Sequence, residues 1–307
     1  MTVIWTIFTT VILPLFILVA VGVLLHRLFD LDNRTLSKLN LYYLVPALIF
    51  AKVYEAELSA DLFLHVIAFL LLQFVALLLV SQAFGRIFHY DKPFLASFTN
   101  SIVLTNNGNF GIPVNQLAFR NDPYALAVQI VVLAFQNFLT FTFGLFNAGV
   151  SSKGLKEGIA EFFKIPIFYA LVIGVAFNVT HVQLPNYVWE PISQAADGFI
   201  ALALVTLGVQ VATLRFKKHL LPIAFSSFIR LIVGPAFGLL FIFVLGLDGL
   251  MAKALLIAAA LPTSRNSAIL ALEYGNESEY AAQAVIVSTL CSGVTITLVI
   301  YVANLLF

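Results

Sequence analysis

Two short stretches gather ligand-binding side chains inside runs that otherwise read as membrane helix. The first, residues 104–113, reads LTNNGNFGIP and carries Asn106, Asn107 and Asn109 among Gly108, Gly111 and Pro113. The second, residues 261–270, reads LPTSRNSAIL and carries Pro262, Thr263, Ser264, Arg265 and Asn266. Glycine and proline interrupt a helix, and the half-helix that restarts has free N–H groups and about half a positive charge at its N-terminus. Such an end suits an anion. Asparagine amides both donate and accept. Arg265 can act as a fork for a carboxylate or as a cation that props the breaks open through backbone carbonyls. Asn106, Asn107, Asn109, Thr263, Ser264, Arg265 and Asn266 are therefore the candidate anion ligands. Gly108, Gly111, Pro113 and Pro262 are the residues expected to keep the helices broken.

The elements that must position these residues are membrane spans. The chain has 307 residues, 61% of them hydrophobic and 10% charged, with a mean hydropathy of +1.02. Soluble domains carry about 25% charge, so one water-soluble core cannot hold this apolar excess. Apolar runs fall at about 4–26, 35–54, 62–85, 93–119, 124–148, 166–180, 188–212, 219–245, 250–274 and 280–306, each near the length a bilayer requires. The expected fold is all-α and polytopic, with ten spans. The first run lacks a basic leader and a cleavage site, and reads as a retained span.

The longest loop, 151–166, divides the runs five and five. An odd number of spans per half turns the second half over, which implies inverted repeats and a transporter. The two polar stretches fall in spans four and nine, one per half. Aligning Thr105 with Pro262, an offset of 157, sets Asn109 opposite Asn266. The breaks lie about 20 Å and about 15 Å along their helices, near the middle of a core about 30 Å thick. Backbone freed there costs several kcal/mol per group unless protein, water or ligand satisfies it.

Basic residues set the orientation. The loops after spans one, three, five and seven hold Arg27, Arg34 and Lys38; Arg86 and Lys92; Lys153, Lys156 and Lys164; and Arg215, Lys217 and Lys218. The loops after spans two, four, six and eight hold only Lys52, Arg120 and Lys253. The first set is expected in the cytoplasm, with both termini outside. The loop after span nine dissents, with Glu277 and Glu279 and no base.

Other polar residues carry weaker signals. Arg230, deep in span eight, can prop the structure or face a cavity. Gln129, Gln136 and Asn137 share a face of span five. With Gln73, Ser288, Thr289 and Ser292, they either line the crossing or bond neighbouring helices. Pro46, in NLYYLVPALIF, shapes a scaffold wall or simply kinks span two. Asp197 is the one acid partly inside a span, as a proton site or a vestibule residue. No mid-membrane acid is available beside the breaks for a sodium site.

The net charge of +1 gives no case for nucleic acid. Cys291 is alone, which excludes a disulfide framework. The scattered histidines suggest no metal. Without a P-loop, a nucleophile elbow or HExxH, neither ATP drive nor hydrolysis is expected. No enzyme activity and no cofactor are expected.

LTNNGNFGIPV resembles the signature of the auxin efflux carrier family, which includes bacterial dicarboxylate carriers and the plant PIN carriers. NLYYLVPALIFAKV and LPTSRNSAILALEYG resemble that family's second and ninth segments, and the resemblance covers the full chain. It implies two inverted five-helix repeats, 1–150 and 151–307, related to the bile acid–sodium symporter fold. Scaffold helices would lie at 4–54 and 166–212. A mobile transport domain would comprise 62–148 and 219–306, with spans four and nine crossing in an X. Substrate would bind at that crossing and move by an elevator step, and members commonly form homodimers. Asn106 stands where the plant carriers place a substrate-contacting asparagine. The chain lacks the long loop of many plant carriers and has Thr105 where they often have proline, so a compact bacterial-type carrier is the closer match. The expected function is potential-driven or secondary transport, chiefly efflux, of small organic anions such as malate, malonate or indole carboxylates across the plasma (inner) membrane. A sodium- or proton-coupled symporter is the alternative, ahead of a channel or receptor on the same fold.

Overall fold

The computed structural model describes residues 2–55, 60–149, 163, 166–212 and 220–307. Lys153, Lys156, Lys164, Arg215, Lys217 and Lys218, on which much of the expected orientation rests, lie outside them. So does most of the loop that divides the halves.

The described chain is helical almost throughout. Its first half contains α1 (Thr2–Phe29), α2 (Asn33–Glu55), α3 (Asp61–Ile87), the half-helices α4a (Lys92–Val103) and α4b (107–118), and α5 (Pro123–Gly149). Its second half contains α6 (Pro166–Val179), α7 (Asn186–Ala212), α8 (Leu220–Val244), the half-helices α9a (Gly249–Ala259) and α9b (Arg265–Glu273), and α10 (Ser278–Leu306). Seven of these helices are long and apolar enough to cross a membrane. The chain is thus an all-helical polytopic membrane protein. The sixth expected span is a 14-residue helix, and the fourth and ninth are each interrupted.

Acidic caps set several helix starts. Asp32 accepts the backbone N–H groups of Arg34 and Thr35 at the head of α2. Asp91 accepts Phe94 N–H at the head of α4a. Asp122 accepts Tyr124 and Ala125 N–H at the head of α5, one residue before Pro123. Each carboxylate satisfies donors that the first turn leaves free, at the positive end of the dipole.

Helices α1, α2, α6 and α7 pack on one another. The α1–α7 contact depends on two glycines. A Cβ on Gly22 would stand 2.1 Å from Val205 O, and one on Gly208 would stand 2.0 Å from Val19 O. The two backbones therefore touch, as small residues permit between membrane helices. Asn40 of α2 ties in by donating to Thr206 Oγ1 at 2.9 Å. The remaining helices surround the interrupted pair, where Phe110, Val128, Leu255 and Leu261 belong to one apolar core.

Among the described residues there are five π-helical turns. Four lie at Asn40–Leu44, Asn107–Gly111, Thr140–Gly144 and Ile229–Val233, and all four border the interrupted pair or its cavities. A wide turn rotates the side chains that follow it and frees a carbonyl, and it is frequent at functional sites. Pro113, just after the second of these turns, sits where the wider winding accommodates its missing N–H.

Candidate functional site

Both interruptions are extended backbone, and they bond to each other. Thr105 and Thr263 form an isolated antiparallel bridge. Asn106 N donates to Pro262 O at 2.9 Å, and Ser264 N donates to Leu104 O at 2.8 Å. Each break supplies the partner for the backbone groups that the other would strand in hydrocarbon. In this antiparallel register Asn106 lies opposite Pro262 and Leu104 opposite Ser264. Asn106 and Ser264, each the residue after a paired threonine, are the N-caps of α4b and α9b.

The glycines have a different role from the one expected. The helix opens at 104–106, ahead of Gly108 and Gly111, which lie inside the turn that restarts it. Gly111 has ordinary helical angles. Its lack of a side chain matters for packing, since a Cβ there would stand 2.6 Å from Leu261 Cδ1 and 2.7 Å from Gln129 Nε2. Pro262 lies in the break itself and accepts from Asn106 N.

A cavity of about 80 Å³ lies at the crossing. At roughly 10–15 Å³ per water it has room for about five to eight waters. One wall is Asn106, Asn107, Gly108, Asn109, Ser264, Arg265 and Asn266, with Gln136, Asn137 and Thr140 of α5. The opposite wall is Ser37, Asn40, Leu41 and Val45 of α2, with Ile167 of α6. A vestibule of about 810 Å³ adjoins it, and Ser37, Leu41 and Arg265 border both spaces. Asp32, Arg34 and Lys38 line the vestibule together with Ser278 and Glu279. The loops after α1 and α9b thus share one side of the molecule.

The structure divides the candidate ligands into two groups. Several are committed to holding the crossing. Asn107 donates to the Thr105 hydroxyl and accepts from Gln129 Nε2 at 3.1 Å. Thr263 donates its hydroxyl to Ser101 O at 2.7 Å and its N–H to Ser288 Oγ at 3.1 Å, and it does not line the cavity. Ser264 caps α9b by accepting from Asn266 N at 3.2 Å. Gln136 donates to Val103 O at 3.2 Å. Gln73 donates to Gly234 O, while Thr289 and Ser292 bond back within α10.

The others face the cavity with capacity to spare. Asn106 caps α4b without a side-chain cap bond, and its Nδ2 is buried with no partner. Asn137 Nδ2 is likewise unpartnered. Arg265, half-buried at the neck, donates to Ser37 Oγ at 2.5 Å. The carbonyl-binding cation is instead Arg230, which donates to Ile102 O at 3.0 Å and to Ala259 O.

Two further candidates lie away from the cavity. Pro46 is not in the cavity wall, because Ser37, Asn40, Leu41 and Val45, on the turns before it, form that wall. Asp197 is exposed on α7 and borders neither space. Ser37, Asn40 and Thr140 were missed. Their only sequence signal is polarity inside a span, which residues bonded to neighbouring helices share.

The arrangement offers an anion a helix N-terminus without a side-chain cap, two unpartnered amide nitrogens and a guanidinium, with no carboxylate among the residues lining the cavity. A family described as membrane transport protein matches residues 7–159 and 150–300. An "Uncharacterized transporter" of Methanothermobacter thermautotrophicus is 26% identical, over 94% of this chain and 96% of that protein. A "Putative malonate transporter" of Rhizobium meliloti is 25% identical over 95% of both. A "Probable auxin efflux carrier component 5b" of Oryza sativa is 31% identical over 41% of this chain and 36% of that protein. With both halves matched, the chain belongs to the membrane transport protein family, that of the auxin efflux carriers.

Proposed function

We propose that this membrane transporter carries small organic anions through the crossing of α4 and α9. The observation that carries the reading is the paired break itself. Its backbone bonds are satisfied across the bridge, yet the Asn106 amide and the N-terminus of α4b remain open to a polar cavity beside Arg265. A di- or monocarboxylate of malonate size suits that cavity. The relative named for malonate supports this class.

In this reading the two halves are inverted five-helix repeats. The equivalence of the N-caps Asn106 and Ser264 across an antiparallel bridge supports it. Helices α1, α2, α6 and α7 form the scaffold, and the remainder moves past it as an elevator. The cavity lies between those two groups, which supports this division. The vestibule opens on the side of Arg34 and Lys38, the cytoplasmic side by the basic-loop rule. Substrate then loads from inside the plasma membrane. A negative-inside potential drives one anionic charge outward with about 2.3 kcal/mol per 100 mV.

Proteoliposomes loaded with malonate, malate or an indole carboxylate test the reading. Efflux is expected to accelerate under an imposed potential, negative inside, and to fall in Asn109→Ala and Arg265→Ala. If both variants move every tested carboxylate at the wild-type rate, the site assignment fails.

A further inference from the structure

The two half-helices that enter the crossing, α4a and α9a, both end there. Their last carbonyls have no partner within their own helices, and each C-terminus carries about half a negative charge. In carriers built from broken helices, such C-terminal ends coordinate a coupling sodium ion or proton. Here they meet a side chain. Arg230 is 1% exposed. It donates Nη1 to Ile102 O, in the last turn of α4a, at 3.0 Å, and Nη2 to Ala259 O, the last residue of α9a.

The surroundings accommodate that guanidinium. Arg230 lies in the π-helical turn Ile229–Val233. One turn on, a Cβ at Gly234 would stand 3.1 Å from Arg230 Nη2 and 3.2 Å from Ala259 O, so glycine keeps the approach free. Gln73 holds Gly234 O at 2.9 Å. Among the described residues the ion pairs are His26–Asp30, Lys52–Glu55 and His65–Asp61, none of which involves Arg230. Its counter-charge is the two helix ends, about one negative charge together. Arg230 Nε has no partner and borders a separate cavity of about 30 Å³ on the far side of residues 103–107.

We infer that Arg230 is a resident cation: it occupies the carbonyl site between the C-termini of α4a and α9a where a coupling metal cation would otherwise bind. An arginine does not lose its proton inside a protein, and a tethered charge cannot leave with the substrate. The negative ends of the crossing are thereby neutralised permanently, and the N-terminus of α4b stays available to an anion. Arg230 is a positioning residue, acting through the two half-helices. Transport without a co-transported metal cation follows, and that consequence alone rests on the anion-carrier reading.

The experiment measures the thermal midpoint of the full chain in lipid nanodiscs, without substrate, in sodium, potassium or choline chloride at equal ionic strength. The wild type is expected to have one midpoint in all three. Arg230→Ala is expected to fall by about 5 °C or more, and to recover part of that with guanidinium chloride at sub-denaturing concentration but not with choline. Arg230→Lys is expected to lie above Arg230→Gln, because charge and not hydrogen bonding sets the order. A sodium-dependent wild-type midpoint overturns the inference even if no variant folds. So does Arg230→Gln at or above Arg230→Lys, or an Arg230→Ala midpoint that guanidinium leaves unmoved. A wild type that carries no carboxylate but shows the expected cation responses would sink the proposed function and leave the resident cation standing.

Discussion

The two halves of this chain cross twice, and they do so by opposite means. At α1 and α7 both helices stay intact, and Gly22 and Gly208 remove the side chains that would hold them apart. Both helices run unbroken through the contact, so it exposes no helix terminus. At α4 and α9 both helices break, and a two-stranded bridge at Thr105 and Thr263 replaces the lost bonds. The bridge satisfies only the groups next to it. The helix ends beyond it remain, negative ends facing Arg230 and positive ends facing the cavity. An intact crossing makes a close contact, whereas a broken one exposes helix termini at membrane depth, the feature on which the proposed binding site rests.

The largest expected effect comes from spoiling the intact crossing. In Gly208→Val the new side chain has no space beside Val19 O. The α1–α7 contact must part, at a cost above the roughly 3 kcal/mol of ordinary overpacking, and detergent-solubilised yield and thermal midpoint should both collapse. Asn106→Leu acts on the broken crossing and should leave the fold in place. It removes an uncommitted donor to a charged ligand, worth about 1.5–3 kcal/mol, and calorimetry with malonate should show binding weakened by about ten- to hundredfold.

Ser264→Ala sharpens the contrast between the two N-caps. Ser264 is occupied with its own helix, so its loss should cost about 1 kcal/mol of stability and weaken binding less than Asn106→Leu does. An equal or greater loss of affinity would show that the two caps serve the ligand alike. The smallest effect lies outside both crossings. The Thr35 hydroxyl, with help from Thr35 N–H, holds the Asp32 carboxyl below its usual range. Its contribution to stability is therefore present above the ordinary aspartate pKa and disappears as pH falls through the lowered folded value. Asp32→Asn should lower the thermal midpoint slightly at neutral pH, leave it unchanged at low pH, and so flatten its low-pH fall.

Much of the site was legible before any coordinates, for a physical reason. Asn, Gly and Pro in mid-span are costly, so LTNNGNFGIP and LPTSRNSAIL stand out against their apolar flanks. What residue type does not reveal is how the two breaks pair: that belongs to the backbone bonds from Asn106 N to Pro262 O and from Ser264 N to Leu104 O, which no side chain announces. The opposite wall was also hidden. Ser37 and Asn40 read as ordinary polar residues near a helix start, and only the packing of α2 across the crossing turns them toward the cavity.

The sequence by itself determined the polytopic helical class, the two interruptions and the polar residue types within them, because hydropathy and helix propensity are local. Only the tertiary structure decided which polar groups are spent and which are free. Thr263, Ser264 and Asn107 look like ligands on paper and are occupied by the bridge and its caps. The two arginines also have distinct posts, Arg230 at the negative ends and Arg265 at the cavity neck. That division depends on where helix termini from distant parts of the chain come to rest, which local propensity does not encode.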